Sequence, residues 1–198
     1  EGVLEVRRGV ILKYMVLYRS LVKGEINTME FATKCIHSLG ANDATGSITP
    51  AIYISSTFAH PKLGDTTGFN YTRESNPTRA RLETLVAALE EGIDALAFSS
   101  GMAAVDAVMN LFAPSDHIIT GNDLYGGSFR LFRNINARNG VEFTTVHTSK
   151  LEEIKAAIKP NTKAIFLETP TNPTMEISDL RAISKIAKEN NFLVIVDN

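Results

Sequence analysis

At 198 residues, with 44% hydrophobic and 21% charged residues and a formal net charge of -2, the chain has ordinary soluble globular composition and room for a hydrophobic core. So even a balance gives no electrostatic ground for nucleic acid or an anionic membrane as partner. The single cysteine, Cys35, excludes an internal disulfide and fits a reducing, cytoplasmic compartment; its expected place is as a small buried apolar residue.

Residues 1–28 stand apart from the rest. The stretch GVILKYMVLYRSL is too short for a membrane span, is interrupted by Lys13 and Arg19, and precedes no small-residue cleavage site. The peptide KGEINTM back-translates to a purine-rich ribosome-binding tract ahead of an ATG. Residues 1–28 therefore read as a non-native leader of translated upstream sequence, with Met29 as the natural start. Residues 29–78 are irregular, with turn signals at GAND, TGSITP, HPKLGDTTG and SNP, and read as an N-terminal arm lying on another surface.

From Arg79 onward the pattern is regular. RARLETLVAALEEG sets Leu82, Leu85, Val86 and Leu89 at helical spacing and stops at Gly92. DALAFSS is a strand, MAAVDAVMNLF a helix, DHIIT a strand, and LYGGSFRLFRNINARNG a helix after its glycines. VEFTTV is a strand, followed by the helix SKLEEIKAAI, where Ser149 and Glu152 stand at capping-box spacing. The strand TKAIFLET, the helix SDLRAISKIAKENN with Ser178 as N-cap, and the strand FLVIVD complete the series. Strands alternating with helices predict an α/β fold, a mostly parallel sheet covered on both faces. Such sheets bind ligands beyond the carboxyl ends of their strands.

Those strand ends carry candidate chemistry. In SSGMAA a strand runs through Ser100, Gly101 and Met102 into a helix, and free N–H groups there suit a phosphate; a plain tight turn is the competing reading. Tyr125, beyond the next strand end, can stack on a planar heteroaromatic ring or simply cap the core. Asn172, stiffened by Pro170 and Pro173, can donate to a ring oxygen or simply form a turn. Asp197 ends a strand that should be buried on both faces, and a carboxylate there is costly unless paired. A protonated ring nitrogen is one partner; a metal or a helix start is another. No G-x-G-x-x-G follows any strand, which excludes the usual dinucleotide fingerprint.

In this order, with AIYISSTF, FNYTRESNPTRARLE, SSGMAA, DLYGGSFRLF, ETPTNP and VIVDN, residues 32–198 resemble the Cys/Met-metabolism family of pyridoxal-phosphate enzymes. The family holds the cystathionine synthases and lyases, methionine γ-lyase and the acyl-homoserine sulfhydrylases. The resemblance implies a fold type I pyridoxal-phosphate fold of which residues 79–198 form the first part. It implies pyridoxal 5'-phosphate as cofactor, with no metal. Ser100, Gly101 and Met102 would bind its phosphate, Tyr125 would flank the ring and serve acid–base steps, Asn172 would meet the ring hydroxyl, and Asp197 the ring nitrogen. Tyr71 and Arg73 would reach the phosphate of a neighbouring subunit in a homo-oligomer, a dimer of active-site dimers. From an extended segment, two residues at this spacing point the same way.

The implied activity is elimination or γ-replacement on a sulfur amino acid such as cystathionine, a homoserine ester, cysteine or methionine. Gly127 stands where methionine γ-lyases usually carry a cysteine, which tilts the reading to the cystathionine synthase and lyase group. The family's Schiff-base lysine is expected beyond Asn198, as is the domain whose arginine grips the substrate carboxylate. Lys185 and Lys188 read as solvated. The 198 residues by themselves are accordingly expected to be inactive, poorly stable and incomplete in their sheet. The competing readings are an aminotransferase of the same fold and a non-catalytic fragment that only joins full-length subunits.

Overall fold

The computed structural model describes residues 9–12, 15–17, 30–37 and 45–198. Its seven strands are β1 (Gly9–Leu12), β2 (Met15–Leu17), β3 (Asp94–Leu96), β4 (His117–Gly121), β5 (Glu142–Val146), β6 (Thr162–Glu168) and β7 (Leu193–Asp197). They form one sheet in the order β3-β2-β1-β7-β6-β4-β5. The pairings of β1 with β7, β7 with β6, β6 with β4 and β4 with β5 are parallel, and β2 runs antiparallel to both its neighbours. Two strands thus come from the segment read as a leader and stand between β3 and β7. The rest of residues 1–28, Met29 and the GAND turn lie outside the described residues.

The period of two along each central strand decides which core a side chain joins. Ile118, Ala164, Phe166 and Ile195 face one side, with Val105, Val108 and Met109 of the helix α3 (Gly101–Met109). Ile119, Ile165, Leu167, Val194 and Val196 face the other, with Ile154 of α5 (Leu151–Ala156) and Ile183 and Ile186 of α6 (Leu180–Glu189). Both faces are therefore buried, as near-continuous apolar runs in a parallel sheet require. At the amino ends of the strands, His117 is fully buried, its ring nitrogens 2.8 Å from the hydroxyls of Thr162 (Nδ1) and Thr144 (Nε2). The Thr162 hydroxyl oxygen also accepts the Lys159 N–H. Burial, and next the nearby Lys159 charge, lowers the pKa of His117, which favours the neutral imidazole.

The expected capping differs at two helices. Ser149 does not cap α5, whose first turn is preceded by Lys150 without a side-chain bond. Glu153 takes the local donors instead, accepting the His147 N–H and ring Nδ1, each at 2.9 Å; these bonds hold its carboxyl down to about 2. Ser178 does not cap α6 either: it is buried against the Thr148 hydroxyl at 2.8 Å, and Asp179 accepts the Ala182 N–H at 3.0 Å. The carboxylate sits next to the first helical residue, where a negative charge also favours the helix dipole. Asp179→Ala should cost about 1 kcal/mol, read as a fall in melting temperature of about 2–4 °C.

The amino-terminal part is less covered. After α1 (Phe31–His37), residues 45–76 contain a single isolated bridge, Thr57 to Tyr71, among the described residues. The Tyr53 N–H and carbonyl bond Thr78 and Asn76, which also caps α2 (Pro77–Leu89) by accepting the Thr78 N–H at 2.8 Å. Ile48, Ile52, Ile54 and Leu63 of the arm are open to solvent, Ile54 being 95% exposed. Leu82, expected on the inner face of α2, is exposed and Ala87 alone on that helix is buried, because α2 lies beside the short edge strand β3. Cys35 is exposed as well, not buried as composition suggested, since α1 has little to pack against.

Candidate active site

The parallel strands end at a common edge, and the segments that follow them surround a cleft of about 390 Å³ lined by Ser100, Gly101, Met102, Tyr125, Glu168 and Asp197, among others. The strand-end rule thus brings together five of the predicted residues. At one wall Ser100 caps α3, its Oγ accepting the Ala103 N–H at 3.1 Å. Among the described residues no protein acceptor meets the N–H groups of Gly101 and Met102, and a Cβ built on Gly101 would meet nothing within 4 Å. Two orphan donors at a helix start beside open space suit an anion.

Tyr125 precedes α4 (Gly126–Leu131), which runs on into a π-helical turn at Phe132–Asn136. Its ring folds back over Gly127, where a Cβ would stand 2.4 Å from Tyr125 Cε1 and 2.7 Å from Met102 Sδ. A Cβ there would have to push the Tyr125 ring and the Met102 thioether aside. Gly127→Ala should displace the Tyr125 ring and weaken binding of a planar ring by about two- to thirteenfold, the loss of one aromatic stack, measurable by fluorescence titration with pyridoxal phosphate.

Asp197 and Glu168 are register partners at the ends of β7 and β6. Burial, and secondarily the Glu168 charge, pushes the Asp197 carboxyl up to about 6. A carboxylate so placed favours a cationic partner. Among the described residues no salt bridge supplies one to Asp197.

Three predicted residues are not in the cleft wall. Asn172 is exposed, and it is its backbone N–H, not its amide, that turns inward, to Glu168 at 2.9 Å. Tyr71 and Arg73 lie together on the arm, the guanidinium 5.0 Å from the ring centroid, away from this chain's own cleft. Lys185 and Lys188 are exposed on α6. Sequence reading missed Glu168, although a carboxylate closing an apolar strand was the very signal that singled out Asp197. It also missed Asp123, whose carboxylate accepts the Thr174 hydroxyl and ties the loop after β4 to the loop after β6. Hydrogen bonds from Thr174 and Thr171 lower the Asp123 pKa.

The sequence pattern of the Cys/Met metabolism PLP-dependent enzyme family matches residues 32–198. The chain belongs to this family. A cystathionine γ-lyase of Bacillus subtilis is 48% identical over 171 residues, covering 86% of this chain and 45% of that protein. A cystathionine β-lyase of Lactococcus lactis is 44% identical, covering 84% and 44%. The crystal structure of a cystathionine γ-synthase from Xanthomonas oryzae, in complex with aminoacrylate and cysteine, superposes with a TM-score of 0.81 at 33% identity, covering 87% of this chain and 45% of that one. The chain thus spans a little under half the length of these relatives, as an incomplete large domain of fold type I would. The cofactor of the Cys/Met-metabolism family is pyridoxal phosphate, and the cleft fits it: orphan N–H groups for a phosphate at one end, a carboxylate that favours a cation at the other, and an aromatic ring between.

Proposed function

We propose that the whole protein is a pyridoxal-phosphate-dependent transsulfuration enzyme that acts on sulfur amino acids by elimination or γ-replacement. When bound, the cofactor supplies an electron sink for charge at the substrate's α-carbon. The observation that carries the reading is the half-buried Asp197 at the mouth of β7, without a salt-bridge partner among the described residues, its carboxyl pushed up to about 6 in a cleft whose far wall is the open start of α3.

Each residue then has a task. Ser100, Gly101 and Met102 hold the phosphate, Ser100 donating its hydroxyl proton while its oxygen caps the helix. Tyr125 covers one face of the ring and excludes water from it, and its hydroxyl can move a proton. Asp197 keeps a proton on the ring nitrogen. Asn172 is assigned to the ring hydroxyl, which requires its exposed side chain to turn into the cleft. Tyr71 and Arg73 serve the phosphate of a neighbouring subunit, in a homo-oligomer of active-site dimers. The separation of this pair from its own cleft and the exposed isoleucines of the arm support that arrangement. The same exposed arm favours, as a second reading, a chain that joins full-length subunits without turnover; co-purification with such subunits tests it.

The lyase and synthase names of the relatives leave three reactions open, and their products separate them. Given cystathionine, a β-lyase releases homocysteine, pyruvate and ammonia, and a γ-lyase cysteine, 2-oxobutyrate and ammonia. A γ-synthase joins cysteine to an O-acyl-homoserine and releases the acid. Assaying the whole protein for all three should find one dominant. Amino-group transfer to a 2-oxo acid with none of them would overturn the proposal in favour of an aminotransferase.

A further inference from the structure

The buried carboxylate of Glu168 has no part in the roles above. It closes β6 with only 9% of its surface exposed, and it is bidentate: Oε2 accepts the Tyr125 N–H at 2.8 Å and Oε1 accepts the Asn172 N–H at 2.9 Å. These are the backbones of the residues assigned to the ring face and the ring hydroxyl. They come from loops 43 and 4 residues distant in sequence from Glu168, and no β-ladder joins those loops. We propose that Glu168 is a positioning residue for the cofactor, a strap that sets the distance between Tyr125 and the Asn172 loop and adds a second negative charge behind Asp197. The proposal rests on the cofactor reading of this cleft.

Two physical arguments support it. A buried carboxylate beside another is unfavourable unless a positive charge compensates it. Here the two carboxylates are register partners, and the Glu168 charge is one cause of the upward shift of Asp197. An arrangement so costly when empty is relieved by a cation between the carboxylates and the cleft, which a protonated ring nitrogen provides. Glutamate also has the reach: two amides on separate loops, each taking one oxygen, with charge-assisted bonds to both. The Asp123–Thr174 bond ties the same two loops further out, so the strap has an outer companion but no substitute at the ring.

The test uses the whole protein with Glu168→Gln and Glu168→Asp, titrated with pyridoxal phosphate. Binding is followed by absorbance, and the circular dichroism of the cofactor band reports the ring's setting against Tyr125. Glu168→Gln removes the charge and leaves one amide without an acceptor, so affinity should fall by about 5- to 150-fold, the cost of one buried unmet donor. The pH at which the cofactor spectrum changes should also move down. Glu168→Asp keeps the charge but shortens the reach, so affinity and the dichroic band should change while that pH stays near the wild-type value. This variant carries the test if Glu168→Gln does not fold. Wild-type affinity, dichroism and pH dependence in these variants, with only a lower melting temperature, would overturn the proposal. A wild-type protein that binds no pyridoxal phosphate would instead overturn the cofactor reading beneath it.

Discussion

Asp197→Asn is expected to lower kcat/KM of the whole protein by about 10- to 1000-fold, the equivalent of the 1–3 pKa units by which a nearby opposite charge favours a protonated group. The carboxamide keeps the shape and removes the charge that, in the proposed role of Asp197, holds a proton on the ring nitrogen. The same substitution should have the opposite effect on the cofactor-free protein. The Asp197 carboxyl rises from 3.8 to about 6 on folding, so between those values the folded state holds a proton that the unfolded chain has shed. Stability therefore declines as pH rises through that window, and the whole cost persists above it. Asp197→Asn should raise the melting temperature of the cofactor-free protein at pH 8 and leave it unchanged at pH 3. Because the side chain is partly open to water, the gain is a fraction of what full burial would give. A variant that melts below wild type at pH 8, or that keeps wild-type kcat/KM, contradicts this account.

The second large effect is on the fold. Phe166 is fully buried at the centre of β6, its ring edge-on to Phe132 at 4.9 Å and 81°, and Phe132 in turn stacks on Phe143 at 5.3 Å and 12°. Phe166→Ala should cost about 3–5 kcal/mol, a fifth or more of the stability of an ordinary domain at about 5–15 kcal/mol. The loss should also reach the cleft, because Phe166 lies two residues before Glu168. Leu82→Ala, at a position equally apolar but exposed on α2, should stay within about 0.5 kcal/mol of wild type. Chemical denaturation of the two variants side by side is the measurement; equal losses would mean that the core lies elsewhere.

The layered sheet was legible because its strands are buried on both faces and so read as unbroken apolar runs, while helices such as α6 keep Ile183, Ile186 and Ala187 on one side and Lys185 and Lys188 on the other. The strand-end rule then found five cleft residues. What it missed has physical reasons. Ser149 and Ser178 are good caps in isolation, but an N-cap is a competition, and Glu153, Thr148 and Asp179 decide it through contacts that spacing does not encode. Glu168 read as one more residue near the end of the strand TKAIFLET, because it joins the backbones of two loops, which carry no side-chain signature. The place of Gly9–Leu12 between β2 and β7 rests on a pairing between the two ends of the chain, beyond the reach of any local pattern.

The exposed arm has a consequence in mass action. Ile48, Ile52, Ile54 and Leu63 stand in water, and if a second subunit covers them, stability belongs to the assembly and depends on how much of it is present. A partner at a hundred times its dissociation constant adds about 2.7 kcal/mol. Dilution would then withdraw stability, and with it the Tyr71 and Arg73 pair from the neighbour's cleft that it is proposed to serve, so that specific activity and melting temperature would fall together as the protein is made scarce.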